Sequence, residues 1–276
     1  MCLAAQGSDN IIRFKTFFLK NGNIQRFQNI FDSRDLLVKF IWRLDPFGKP
    51  TKQGSLFEGA KPKKQKLDGK YKIVTSAKDL EKLISVLKKS KGFVIDTETD
   101  NLDGELIGIS FAIQPKEAFY IPVTSPNTKV SEGLEKDKVI KKLKPLLESM
   151  SLNKWGYNLK YDWRILHREG INLSPIEFDC MIASYLTNPA TRVHKLDQIA
   201  FIELGYEMIP ISELLEENQD LSRLDVKKVG EYSCEDADIC LRLKKKFEKS
   251  LKENNMEELF FKLEMPLVPI LAEIEE

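Results

Sequence analysis

Residues 93–100 read Phe93-Val94-Ile95-Asp96-Thr97-Glu98-Thr99-Asp100. A short continuous apolar run is what a strand buried on both faces requires, and this one passes directly into acids. Strand alternation puts Asp96 and Glu98 on one face, two residues apart. Carboxylates that close repel, and burying either alone is costly. A bound divalent cation removes the penalty, and hard oxygen ligands of this kind suit Mg2+ or Mn2+. A plainer reading of the same residues is a strand end whose acids point into water.

The surroundings support a strand at this position. Upstream, Tyr71 to Thr75 alternates as a strand. Ser76 then caps a helix, with Asp79 three residues on in the manner of a capping box, and that helix buries Leu80, Leu83, Ile84 and Leu87. Downstream, 105–112 and 118–123 read as two more strands, the first preceded by the turn Leu102-Asp103-Gly104. A helix is expected over about 137–150 and a short strand over 152–156. Helices follow over 159–169, 179–187, 195–205, 225–249 and 256–275. Strands first and helices later predict an α/β fold, a mixed sheet flanked by helices.

Two further segments carry acids. In Asn158-Leu159-Lys160-Tyr161-Asp162, Asn158 holds a helix N-cap position and Asp162 lies in the first turn. Leu159, Ile165 and Leu166 can face the core while Asp162 looks toward the sheet edge. An acid in a first turn can equally do no more than complement the helix dipole. In Tyr232-Ser233-Cys234-Glu235-Asp236-Ala237-Asp238, Tyr232 and Asp236 are four apart and share one helix face. Glu235 and Asp238 fall on other faces, and an exposed acidic helix is the plainer alternative.

Composition narrows the chemistry. The chain of 276 residues has 43 basic and 42 acidic side chains, but residues 1–68 hold 13 basic and 6 acidic and the remainder 30 and 36. A basic leader therefore precedes an acidic body. The leader has weak periodicity, with one helical stretch over 35–44, and 52–70 reads as a polar linker whose lysines could touch nucleic-acid backbone or merely be solvated. Two histidines and four cysteines without CxxC spacing leave little material for a zinc site or a Ser-His-Asp hydrolase. Reduced thiols, no apolar run of membrane-spanning length and no signal peptide in the first residues predict a cytoplasmic protein.

Taken together, in this order and spacing, the three acidic segments resemble the exonuclease motifs of the DEDD superfamily, tyrosine subclass. The resemblance is to the proofreading 3′–5′ exonuclease domain of bacterial family A DNA polymerase I. It is carried by Asp96 to Leu102, Ile107-Gly108-Ile109-Ser110-Phe111-Ala112, Tyr120-Ile121-Pro122-Val123, Leu143-Lys144-Pro145-Leu146-Leu147, Asn158 to Asp162, Phe178-Asp179, His194-Lys195-Leu196-Asp197 and Tyr232 to Asp238. It runs from about residue 71 to the end. Glu264 to Leu271 is similar to the passage from exonuclease into polymerase domain, so the expected division is 1–70 N-terminal segment and linker, 71–252 exonuclease domain and 253–276 the start of a truncated polymerase domain.

The resemblance implies a ribonuclease H-like sheet behind a poorly ordered N-terminal segment. It implies that Asp96, Glu98, Asp162 and Asp236 ligate two divalent cations, Mg2+ or Mn2+, and that Tyr232 orients the attacking water. Thr99, Leu102, Asn158, Tyr161 and Arg192 would contact a single-stranded DNA 3′ end, Leu102 as a wedge, with Lys160 and Arg164 adding affinity. The product would be a 5′-mononucleotide. The family commonly has Gln where this chain has Tyr157, and His194 is expected to anchor a helix start. A monomer is expected, with a polymerase domain in cis. Two alternatives stay open: a non-catalytic domain bracing a polymerase, and a ribonuclease D-like exonuclease acting on RNA.

Overall fold

In a computed structural model, the structure describes residues 69–101, 104–189, 191, 193–214 and 220–276. Strand β1 (Lys70–Ile73) is followed by α1 (Ala77–Lys89). The Ser76 hydroxyl accepts the Asp79 N–H at 3.1 Å, the N-cap expected from the sequence, and donates to the Asp79 carboxylate at 2.7 Å. Strands β2 (Gly92–Thr99), β3 (Leu106–Gln114) and β4 (Glu117–Thr124) form the antiparallel centre. After the short β5 (Leu134–Glu135) come α2 (Lys136–Leu147), β6 (Asn153–Gly156), α3 (Leu159–Arg168), β7 (Ile176–Asp179) and α4 (Cys180–Thr187). The remainder is helical: α5 (Leu196–Leu204), α6 (Ile211–Leu214), a 3-10 turn (Leu221–Arg223), the long α7 (Val226–Glu253), α8 (Glu257–Leu259) and α9 (Met265–Glu275).

The main sheet has the order β1-β4-β3-β2-β6-β7, with β5 pairing β4 to one side. Strands β2, β6 and β7 run parallel, while β3 is antiparallel to both β2 and β4. This is the mixed sheet expected from the sequence. The core includes Phe93, Val94 and Ile95 of β2, none of them exposed to solvent. Helix α7 packs across β2, β3 and β4.

Parallel β2 and β6 leave the sheet at the same edge, with Val94 level with Trp155. The chain must turn tightly after β6, and Gly156 allows it. A Cβ there would meet Leu159 at 2.4 Å and the Ile95 carbonyl at 3.0 Å. The end of β2 and the start of α3 are thereby brought side by side.

Several boundaries differ from the sequence reading. Strand β7 was not anticipated, because its four residues carry too short an apolar pattern. The helix expected over 256–275 is interrupted by a π-helical turn at Phe260–Glu264, ahead of Pro266. Residues 257–275 pack onto the same core, with Phe260 buried and its ring 4.7 Å from that of Phe178. The helix expected over 35–44, the linker and the poorly ordered N-terminal segment lie, except for the linker's last two residues, outside the described residues.

Candidate active site

The three acidic segments converge where β2 ends. Carboxylate oxygens of Asp96, Glu98 and Asp236 all lie within 4.8 Å of one another. Glu98 is buried, whereas Asp96 and Asp236 keep partial contact with solvent, so the trio faces a mouth. Asp162, buried in the first turn of α3, borders the trio rather than joining it. Its Oδ1 accepts the Thr97 N–H at 2.8 Å and the Thr97 hydroxyl at 2.7 Å. The core-facing assignment of Leu159, Ile165 and Leu166 holds, since all three are buried.

Crowding has an electrostatic cost. Burial pushes the carboxyls of Asp96, Glu98 and Asp162 well above the ordinary carboxylate range, and the charges of neighbouring acids add to it. Asp236 is pushed up to about 8, again chiefly by burial, with the Tyr232 phenol one turn away pulling in the opposite direction. Burial and these same acids drive the Tyr232 hydroxyl upward, so it stays neutral. Among the described residues no lysine or arginine pairs with the four acids. The hydroxyls of Ser110 and Ser233 are buried against the cluster without a hydrogen-bond partner in ordinary geometry. An all-oxygen donor set, mutually repelling and lacking a countercharge, fits a hard divalent cation.

The expected substrate contacts fare differently. Thr99 and Tyr161 meet each other, their hydroxyls 2.6 Å apart. Asn158 occupies the N-cap position of α3, but in a left-handed conformation (φ 63°) and without capping through its side chain. The cap comes instead from Asp179, whose carboxylate accepts the N–H of Asn158 at 3.1 Å and of Leu159 at 2.7 Å. Asp179 also accepts the N–H of Met181 at 2.8 Å at the start of α4. Lys160 is paired with Glu275 at 2.7 Å and Arg164 with Glu276 at 3.2 Å, both on α9 or at its end. Leu102 and Arg192 lie outside the described residues.

In the third motif the plainer alternative fails. Glu235 and Asp238 do point to other faces of α7 than Asp236, yet the helix is not an exposed acidic one: both are buried and partnered. Glu235 accepts the Tyr206 hydroxyl at 2.8 Å and the Ile209 N–H at 2.7 Å. Asp238 accepts the Tyr71 hydroxyl at 2.9 Å and the Lys116 N–H at 2.6 Å, and pairs with Arg242. Tyr157 donates to the His194 carbonyl at 2.7 Å. His194 is an anchor: Nε2 donates to the Thr191 carbonyl at 3.1 Å, Nδ1 accepts from Ser184 at 2.9 Å, and the ring stacks on Tyr185.

A family profile described as 3′–5′ exonuclease matches residues 71–252. This chain belongs to that exonuclease family. It is 37% identical over 210 residues to the DNA polymerase I of Borreliella burgdorferi, covering 75% of this chain and 23% of that protein. It thus spans about a quarter of the length of the curated relatives it matches. In three dimensions it is similar to Brucella melitensis NrnC (TM-score 0.57, 21% identity, 68% of this chain and 86% of that one). It is also similar to Escherichia coli RNase D, an exoribonuclease (TM-score 0.57, 17% identity, 74% of this chain and 50% of that one). At these identities the structural likeness establishes the ribonuclease H-like fold alone. Like the DNA polymerase I exonuclease domain to which it is homologous, the chain is a 3′–5′ exonuclease domain with a carboxylate cluster compatible with two-metal chemistry. Among the described residues no helix is long and apolar enough to cross a membrane.

Proposed function

We propose that the chain removes 5′-mononucleotides from single-stranded or frayed DNA 3′ ends, as the proofreading part of a DNA polymerase I. The observation that carries this reading is the meeting of Asp96, Glu98 and Asp236 within 4.8 Å, with Tyr232 and Asp162 beside them. Asp96, Glu98, Asp162 and Asp236 would hold two divalent cations, Mg2+ or Mn2+. Bound there, such ions polarise the scissile phosphate and acidify water near neutral pH. Tyr232, neutral at working pH, orients the attacking water through its hydroxyl and is not the bulk base. Thr99 and Tyr161, already joined, form one polar wall for the terminal nucleotide, and Asn158, Leu102 and Arg192 complete the substrate contacts. The working division is 71–252 as the exonuclease domain, 1–70 as leader and linker, and 253–276 as the start of a polymerase domain that acts in cis. The protein works as a cytoplasmic monomer.

The test uses 5′-labelled single-stranded DNA with Mg2+, wild-type chain and an Asp96→Ala, Glu98→Ala variant side by side. A shortening ladder from wild type alone is expected. Equal ladders from both proteins, or none from either, would overturn the catalytic reading. Single-stranded RNA in parallel addresses the ribonuclease D-like alternative, for which the fold likeness to RNase D is the motive; preferential shortening of RNA would favour it.

A further inference from the structure

Each of the four acids has a hydroxyl-bearing neighbour. Two of these hydroxyls are engaged. Thr97 donates to Asp162 at 2.7 Å, and the Tyr232 phenol acts on Asp236. The other two are Ser110 and Ser233. Ser110 is paired directly with Asp96 across β2 and β3, so the two side chains share one face of the sheet. Ser233 lies on α7, next to Tyr232 and on the side packed against the sheet, facing Glu98. Both serines are fully buried, and neither hydroxyl has a hydrogen-bond partner in ordinary geometry. The hydroxyls are nonetheless close enough to act on Asp96 and Glu98, pulling their pKa values down against the effect of burial. The next residue in the Asp96–Ser110 row, Tyr120, offers Ser110 no alternative, because its hydroxyl turns to the Ile107 carbonyl at 3.4 Å.

A buried hydroxyl without a partner is destabilising, and a merely structural site would favour alanine. We propose that Ser110 and Ser233 are positioning residues: in the cation-loaded protein each donates to the outward oxygen of its acid, Ser110 to Asp96 and Ser233 to Glu98. Each thereby fixes which carboxylate oxygen faces the ions. Groups that orient metal ligands in this way typically matter by about 10–100-fold in affinity. The role rests on the proposed metal site.

The test compares the wild-type chain, a Ser110→Ala, Ser233→Ala variant and the Asp96→Ala, Glu98→Ala variant. Thermal unfolding is followed in EDTA, and MgCl2 and MnCl2 are titrated by calorimetry. The serine variant should melt in EDTA at the wild-type temperature or above it, yet bind both cations about tenfold more weakly or worse. The acid variant should not bind. Wild-type uptake matched by equal uptake in the serine variant overturns the positioning role while leaving the metal site standing. A serine variant that melts lower in EDTA makes the hydroxyls structural and overturns the role as well. A wild-type chain that takes up neither cation overturns the metal site and the serine role together. Should the double variant fail to fold, Ser110→Ala and Ser233→Ala separately carry the same test, with a several-fold loss expected from each.

Discussion

Asp96, Glu98 and Asp236 on one hand, and Asp179 on the other, are acids at the same edge of one sheet with opposite surroundings. Asp179 accepts backbone N–H groups from two helix starts, at Asn158, Leu159, Met181 and Ile182. The trio has its own repulsion, the Tyr232 phenol beside Asp236 and two serine hydroxyls out of ordinary hydrogen-bond geometry, with no backbone donor on it among the described residues. Glu235 and Asp238 repeat the Asp179 pattern on the same helix as Asp236. A buried carboxylate with donors on both oxygens serves the fold, as Asp179, Glu235 and Asp238 do, whereas Asp162 takes the Thr97 donors on Oδ1. A crowded one without donors or countercharge is costly unless something cationic binds, so its burial points to function.

That contrast can be broken experimentally. The largest effect should follow Asp96→Ala with Glu98→Ala. Removing ligands outright should cost more than the roughly 10–100-fold typical of outer-shell changes, read as loss of DNA shortening, while the cation-free protein melts at the same temperature or higher. Tyr232→Phe comes next. With the water no longer oriented, turnover should fall on the order of 10²-fold, while Mg2+ binding measured by calorimetry is retained; loss of binding instead would make the tyrosine part of the cation site. Asp179→Ala should act the other way round, chiefly on stability, costing about 1–2 kcal/mol for each of the two helix starts it caps, as measured by urea unfolding.

A smaller and more diagnostic effect is the pH response of the cation-free chain. Burial and repulsion raise the folded-state pKa values of the four acids above the unfolded value of about 4, to about 8 for Asp236. Below about pH 4 these groups are protonated in both states and contribute no difference. Between about pH 4 and about pH 8 the folded state holds more protons than the unfolded one, so stability falls as pH rises. Thermal melts in EDTA should therefore decline across this window, and Mg2+ should flatten the decline. A melting temperature that rises with pH in EDTA would contradict the raised pKa values. Smallest of all, Tyr157→Phe should cost about 0.5–1.5 kcal/mol by removing the bond to the His194 carbonyl, with DNA shortening unchanged.

Much of this was legible in the residues. The apolar run of β2, the Ser76 cap and the amphipathic spacing of α1 are local signals, and local physics sets them. The acids and Tyr232 could be singled out because their types and spacing are unusual in themselves. Nothing in the neighbours of Asp179 reveals that it caps a helix that starts some twenty residues earlier. The partners of Glu235 and Asp238 are hidden for the same reason: the helix pattern tells their direction, but not that Tyr206 and the Lys116 turn wait there.

Chain order thus determined that this protein would carry a buried strand ending in Asp96 and Glu98, with Asp162 and Asp236 on later helices. Only the tertiary structure decided which acids are left without donors. Hydrogen-bond partners at those distances in sequence are supplied by packing, through parallel β2 and β6 and the long helix laid across them, and periodicity along one segment carries no information about what another segment brings to meet it.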